Sequence, residues 1–157
     1  MKSTRRSFLK TAGTASSVAI AVAAGLIKPT EVLAAEWNKD AFAAKGLPDA
    51  LKAVGASAGA TDSKDILIKA PDIAENGAVV PIEVTSKVAG TSAIMLMVEK
   101  NPQPLTASFD LGNGAEGFVS TRIKMGQTSN VRAVVKAGGK FFTAVKEVKV
   151  TIGGCGG

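Results

Sequence analysis

Hydrophobic and polar residues alternate in a series of short runs from residue 65 onward. In one run, Val80, Ile82 and Val84 are placed to share one face of a β-strand, because successive side chains of a strand point to opposite sides. Glycine, proline and asparagine separate the runs, as expected where turns join strands. The series favours a mostly β protein, an immunoglobulin-like antiparallel β-sandwich. Seven strands are predicted, over residues 65–69, 79–86, 91–98, 105–109, 117–124, 130–135 and 141–152.

Two local irregularities are expected within this series. Lys146 interrupts the apolar face of the last predicted strand, so a β-bulge is expected near Lys146 and Glu147. Asn76 and Gly77 precede the strand at 79–86, and this pair is predicted to supply the positive-φ positions of a tight turn.

The strand at 91–98 departs from alternation, since residues 93–98 (AIMLMV) are apolar on both faces. A small domain buries only about two-thirds of its chain surface, so such a strand is difficult to cover from within. Either a partner protein covers the second face, with Met95 and Met97 in the interface, or an N-terminal helix crosses it.

The segment before the strands has helical character. A short turn is predicted over 40–44, and a second helical turn opens at Pro48 with Leu47, Leu51 and Val54 on one face. The expected organisation is therefore a helical segment and linker over 35–60, followed by the β-sandwich over 61–152.

The first 34 residues have the pattern of a targeting segment. Arg5 and Arg6 precede Phe-Leu-Lys, an uncharged stretch over 11–27 follows, and small residues surround Ala34. This order is typical of a twin-arginine signal peptide, with cleavage expected after Ala34. The alternative of an uncleaved membrane anchor is disfavoured, because the stretch is only weakly hydrophobic. The sequence thus predicts export of the mature chain to the bacterial periplasm.

Charge and composition exclude several classes of function. The net charge is +6, but without residues 1–34 there remain 14 basic and 12 acidic residues, a net charge of +2. Such a balance is not typical of a DNA- or RNA-binding domain. The chain has no histidine and one cysteine, so zinc, haem and histidine-dependent triads are not expected. We expect no cofactor, no metal and no nucleic-acid partner.

The chain finishes in Gly153, Gly154, Cys155, Gly156 and Gly157, directly after the last predicted strand. Glycine tolerates nearly all backbone conformations, so residues 153–157 are predicted to form a flexible arm. Five extended residues reach on the order of 15 Å. A thiol at this position can enter a narrow pocket of another protein, and a thiolate attacks sulfur to form a bond that exchange can break again.

Cys155 also admits other roles. A lone exported cysteine can form an intermolecular disulfide, which would make the chain an exported immunoglobulin-like structural or interaction domain. A ubiquitin-like sulfur carrier also ends in Gly-Gly, but its activation by ATP in the cytoplasm conflicts with the leader. An enzyme is the least favoured class, because no base, nucleophile and orienting group form a visible constellation.

Four segments of the chain resemble the SoxY family, the sulfur-carrier subunit of the periplasmic thiosulfate-oxidising system. They are the twin-arginine leader, residues 70–81 (APDIAENGAVVP), residues 101–105 (NPQPL) and residues 148–157 (VKVTIGGCGG). The terminal pentapeptide at the end of a strand is the most specific of these. The resemblance covers essentially the whole chain.

This resemblance implies that Cys155 is the site of covalent sulfur attachment on a swinging arm. It also implies a heterodimer with SoxZ, transient partners that act on the arm, and no membrane association. In the family, the haem enzyme SoxXA joins thiosulfate to the cysteine and the hydrolase SoxB releases sulfate. The dehydrogenase SoxCD, where present, oxidises the remaining sulfur. The carrier itself is expected not to be an enzyme.

Overall fold

A computed structural model of the chain describes residues 37–57, 59–112 and 114–151. The predicted leader over 1–34 and arm over 153–157 lie outside the described residues. Two helices, α1 (Lys39–Ala43) and α2 (Leu47–Ala53), precede the strands. The strands are β1 (Thr61–Asp62), β2 (Ile66–Lys69), β3 (Ile73–Ala74), β4 (Val80–Ser86), β5 (Thr91–Val98), β6 (Leu105–Asp110), β7 (Phe118–Ile123), β8 (Ser129–Ala137) and β9 (Lys140–Val150).

The strands form two sheets. One contains six strands, in the order β1-β9-β8-β5-β6 with β3 also paired to β9, and the other contains β2-β4-β7. All pairs are antiparallel except β1 with β9 and β3 with β9, which are parallel. The predicted class, an immunoglobulin-like sandwich after a short helical segment, is confirmed. The seven predicted strands are all present with ends within two residues of those expected.

The main core lies between the two sheets. Val80, Ile82 and Val84 of β4 are buried, as their alternation predicts. They belong to the same buried cluster as Ile94 and Leu96 of β5, which lies in the opposite sheet. Period-two alternation on both sheets therefore forms one continuous apolar layer.

The second apolar face of β5 is covered by the helices. Met95 and Met97 are 4% and 0% exposed and pack with Ala41 of α1 and Ala50 of α2. The burial of these side chains therefore does not support the partner interface predicted at Met95 and Met97. The helical layer, which was the alternative, already removes this face from solvent. Ala41 and Ala50 are each 0% exposed, so a small side chain of each helix lies in this contact.

Side-chain hydrogen bonds join the two helices. The Asn38 carboxamide accepts from the Ala41 backbone N–H at 3.1 Å, which caps the start of α1. The same side chain donates to the carbonyl of Ala53, the last residue of α2, at 2.8 Å. Neither described helix is long and apolar enough to cross a membrane. The cap and the cross-link hold the two helices together.

The predicted bulge at Lys146 and Glu147 is absent. The β8–β9 register runs without a shift from Ser129 opposite Val148 to Ala137 opposite Lys140. Lys146 keeps its place in the alternation, because its ammonium donates to the Ala70 carbonyl at 2.7 Å and lies 3.1 Å from the Asp72 carboxylate. A long side chain can thus keep its stem on an apolar face and place its charge at the edge of the sheet.

Candidate functional site

The sequence places the chemistry in the arm, and the structure describes the residues that lead into it. Cys155 and the arm glycines Gly153, Gly154, Gly156 and Gly157 lie outside the described residues. The last described residue is Thr151, two positions before the arm begins. We call residues 149–151 the arm root.

Strand β3 holds the arm root from one side. It pairs in parallel with the end of β9, with Ile73 opposite Lys149 and Ala74 opposite Val150. The Lys149 N–H donates to the Asp72 carbonyl at 3.0 Å, and the Thr151 N–H donates to the Ala74 carbonyl at 3.1 Å. The regular hydrogen bonding of β9 therefore continues as far as Thr151 on this edge.

The Thr128 side chain holds the arm root from the other side. Pairing between β8 and β9 ends where Ser129 lies opposite Val148. Beyond that point the Thr128 hydroxyl accepts from the Val150 N–H at 2.9 Å and lies 3.4 Å from the Val150 carbonyl, to which it donates. The Thr128 side chain thus makes the hydrogen bonds to Val150 that the backbone of a further β8 residue would otherwise make.

Gly77 packs against the arm root at close range. Its carbonyl accepts from the Met125 N–H at 2.7 Å. A Cβ on Gly77 would lie 2.4 Å from the Met125 carbonyl oxygen and 2.9 Å from Cγ1 of Val150. The prediction of a positive φ at Gly77 is wrong, since its φ is outside that range. Glycine is needed here for space, because the Met125 carbonyl and the Val150 side chain leave no room for a Cβ.

Asn76 begins the turn that carries Gly77. Its side-chain oxygen accepts from the Ala78 N–H at 2.9 Å, and its backbone carbonyl accepts from the Val79 N–H at 3.3 Å. This is the local side-chain-to-backbone bonding that favours Asn at the first position of a turn. The predicted turn is therefore present, although it depends on Asn76 and not on positive φ at Gly77.

Asn101 supports the loop behind this contact. Its side chain donates to the Lys124 carbonyl at 2.8 Å and accepts from the Gly126 N–H at 3.0 Å. That loop contains Met125 and leads into Thr128. Gly77, from the segment at 70–81, and Asn101, from the segment at 101–105, thus both contact this loop, and Gly77 also packs against Val150 of the arm root.

The surface at this end is partly apolar. Ile73 of β3 is 57% exposed and Val79 is 50% exposed, whereas Glu75 and Lys149 place charges between and beside them. Among residues 37–57, 59–112 and 114–151, no three His, Cys, Asp or Glu side chains form a group that could hold a metal ion. The described part of the site offers hydrogen bonds and shape, and the thiol that the sequence predicts to be reactive lies outside it, at Cys155.

Sequence reasoning missed Thr128 and β3. Thr128 is one polar residue in a polar loop, and no spacing connects it to Val150, 22 positions away. Strand β3 has two residues, too few for an alternation pattern to identify.

Gly77→Ala should lower the free energy of unfolding by about 1–3 kcal/mol, because the added methyl group has no room between Met125 and Val150. Urea denaturation of the purified chain would measure the loss. Gly112→Ala is the matched control, since a Cβ there meets nothing within 4 Å and φ is not positive. Equal stabilities for the two variants would contradict the close approach at Gly77.

The fold and the site together define a class of small β-sandwich proteins in which the last strand leads directly into a glycine-flanked terminal cysteine. Residues 51–155 match the family model described as sulfur oxidation protein SoxY, a match that includes Cys155. The chain belongs to the SoxY family.

A solved structure supports this assignment. The chain is 44% identical to the sulfur carrier protein SoxY from Chlorobium limicola f thiosulfatophilum, with a TM-score of 0.62. The alignment covers 73% of this chain and 99% of that one. No curated protein matches the chain.

Proposed function

We propose that this chain is a carrier of sulfur intermediates in thiosulfate oxidation, and that Cys155 is the attachment point. One observation carries the proposal: the match to the SoxY family spans residues 51–155 and therefore reaches Cys155. The solved SoxY relative is described as a sulfur carrier protein. The arm root supports the same role, because β9 is hydrogen-bonded to within two residues of the glycines.

The proposed chemistry at Cys155 is the formation and exchange of sulfur–sulfur bonds. Loading joins Sγ to the outer sulfur of thiosulfate. The thiol loses its proton to solvent and two electrons pass to an oxidising haem partner, SoxXA. Hydrolysis by SoxB then adds water across the bond to the sulfonate group, which releases sulfate and leaves a persulfide on Cys155. SoxCD, in organisms that contain it, oxidises that sulfur further.

In this role the chain is the covalently bound substrate of its partners and not a catalyst. Its sequence supplies one thiol and no histidine that could act as a base beside it. Activation of the thiol is therefore assigned to the active site that receives the arm. A substrate on a glycine-rich tether suits visits to several different enzymes.

The proposed complex is a heterodimer with SoxZ in the periplasm, reached through a twin-arginine leader over 1–34. Because Met95 and Met97 are buried under the helices, SoxZ would bind another surface of the chain. The twin-arginine route moves folded proteins, so a partner without its own leader could be exported together with this chain.

Intact-mass measurement tests the proposal directly. The mature SoxYZ complex is incubated with cognate SoxXA, an electron acceptor and thiosulfate, and is analysed without reductant. We expect a mass increase of one thiosulfate-derived group that reductant removes and that peptide mapping assigns to the terminal peptide. A parallel reaction without thiosulfate is the control. An unmodified Cys155, under conditions in which an established SoxYZ complex is loaded, would contradict the proposal.

A further inference from the structure

We infer that Thr128 is a positioning residue, whose hydroxyl fixes the arm root and thereby sets where the arm leaves the sandwich. The inference rests on the proposed carrier function, since it assigns Thr128 a role in delivering Cys155 to the enzymes that load it. Nothing in the sequence pattern or in the family match singles out this side chain.

Backbone pairing between β8 and β9 ends before Val150. The last backbone pair between β8 and β9 joins Ser129 and Val148, so the β8 backbone no longer holds β9 beyond that pair. The Thr128 hydroxyl then binds both polar groups of the Val150 backbone, the N–H at 2.9 Å and the carbonyl at 3.4 Å. Both side-chain hydrogen bonds of Thr128 go to this one residue.

Strand β3 completes the hold on the opposite edge. The Thr151 N–H donates to the Ala74 carbonyl at 3.1 Å, and the Thr151 hydroxyl lies 3.5 Å from the same oxygen. Neighbouring residues of the arm root are thus held on alternate edges, as in the interior of a sheet. On one of the two edges the hydrogen bonds come from a single group, the Thr128 hydroxyl. Loss of this hydroxyl would leave Val150 held by β3 and by packing alone.

A fixed root matters because it limits the length of the tether. Release of the root would add residues to the arm, and the local concentration of a tethered group falls with tether length. The added residues would also have to be ordered again each time the arm enters an enzyme pocket, which costs conformational entropy. The hydroxyl of Thr128 therefore favours delivery of Cys155 without touching it.

Amide hydrogen exchange tests the structural half of the inference. In the complex with the partner subunit, Thr128→Val should increase exchange at the Val150 amide about fivefold, the order expected for one lost hydrogen bond. Thr128→Ser keeps the hydroxyl and should restore protection. Thr106→Val is the matched control, because it removes a similar side-chain bond, to the Leu96 carbonyl, on the distant strand β6.

Loading kinetics test the functional half. With the haem enzyme and thiosulfate, Thr128→Val should lower kcat/KM for loading about twofold through the longer tether. Thr128→Ser and Thr106→Val should load at the wild-type rate. The rate of reaction of Cys155 with a small aromatic disulfide should be the same in all four proteins, because a small reagent does not need a positioned arm.

The outcomes separate the inference from the proposed function. Faster exchange in Thr128→Val with unchanged loading would show a purely structural role and overturn the inference, as would unchanged exchange. Slower loading that Thr128→Ser fails to restore would also overturn it. If the proposed function were wrong, wild type and all variants would remain unloaded, and the inference would fall with it.

Discussion

Cys155→Ser is expected to abolish enzyme-dependent loading completely. The variant differs by one atom, but a serine hydroxyl does not form the exchangeable sulfur–sulfur bond on which the proposed chemistry depends. Intact mass after incubation with the haem enzyme, an electron acceptor and thiosulfate should show no adduct. Cells that contain only this variant should lose thiosulfate-dependent growth.

A relocated thiol provides the control for the arm. In the Cys155→Ser background, Thr151→Cys moves the sulfur four residues back, to the arm root, about 13 Å closer to the sandwich when the chain is extended. Residue 151 is exposed, so the new thiol should react with small reagents. The haem enzyme should not load it, because the thiol can no longer reach into a pocket.

Two results would contradict this prediction. If Cys155→Ser lost only a disulfide-linked dimer and retained growth on thiosulfate, the chain would be a structural or interaction domain and not a carrier. If Thr151→Cys were loaded at the rate of the wild-type cysteine, display on an arm would be unnecessary. The two results bear on different parts of the proposal, the thiol and its tether.

Leu96→Ala should lower the free energy of unfolding by about 2–5 kcal/mol, one of the largest losses expected of any single substitution in this fold. Leu96 is 0% exposed, lies in the interior strand β5 and belongs to the core between the two sheets. Truncation removes apolar contacts and leaves a cavity that the surrounding strands cannot fill. Urea denaturation of the purified chain measures the loss.

The matched control is Leu67→Ala on the outer face of β2. Leu67 is 65% exposed, so the same truncation there should change stability by no more than about 0.5 kcal/mol. Similar losses at the two positions would mean that Leu96 is not in a closed core, and would contradict the arrangement of the two sheets.

The sequence alone predicted much of the fold, because strand patterns are local. Val80, Ile82 and Val84 alternate with polar neighbours, and this alternation depends only on the geometry of an extended chain. The seven longer strands and the two helical turns follow from such patterns together with the glycines and prolines between them. The glycine-flanked Cys155 is likewise a local feature, so a role for its thiol could be proposed without a structure, and that role stays a prediction.

The covering of β5 could not be settled in this way. The apolar residues over 93–98 indicate that both faces of β5 are buried. They do not indicate whether Met95 and Met97 contact a helix of the same chain or a second protein. In the structure α1 and α2 cover this face. Only tertiary packing determines which elements contact it.

The same limit explains the remaining differences. Lys146 breaks the apolar pattern of β9, yet the strand stays regular because Asp72 and the Ala70 carbonyl, more than 70 positions away in the chain, accept its ammonium. Thr128 and Gly77 also contact the arm root from positions that are distant from it in the sequence. Alternation and glycine content are properties of neighbours along the chain, whereas a hydrogen bond or a close approach between distant segments exists only once the sheets have assembled.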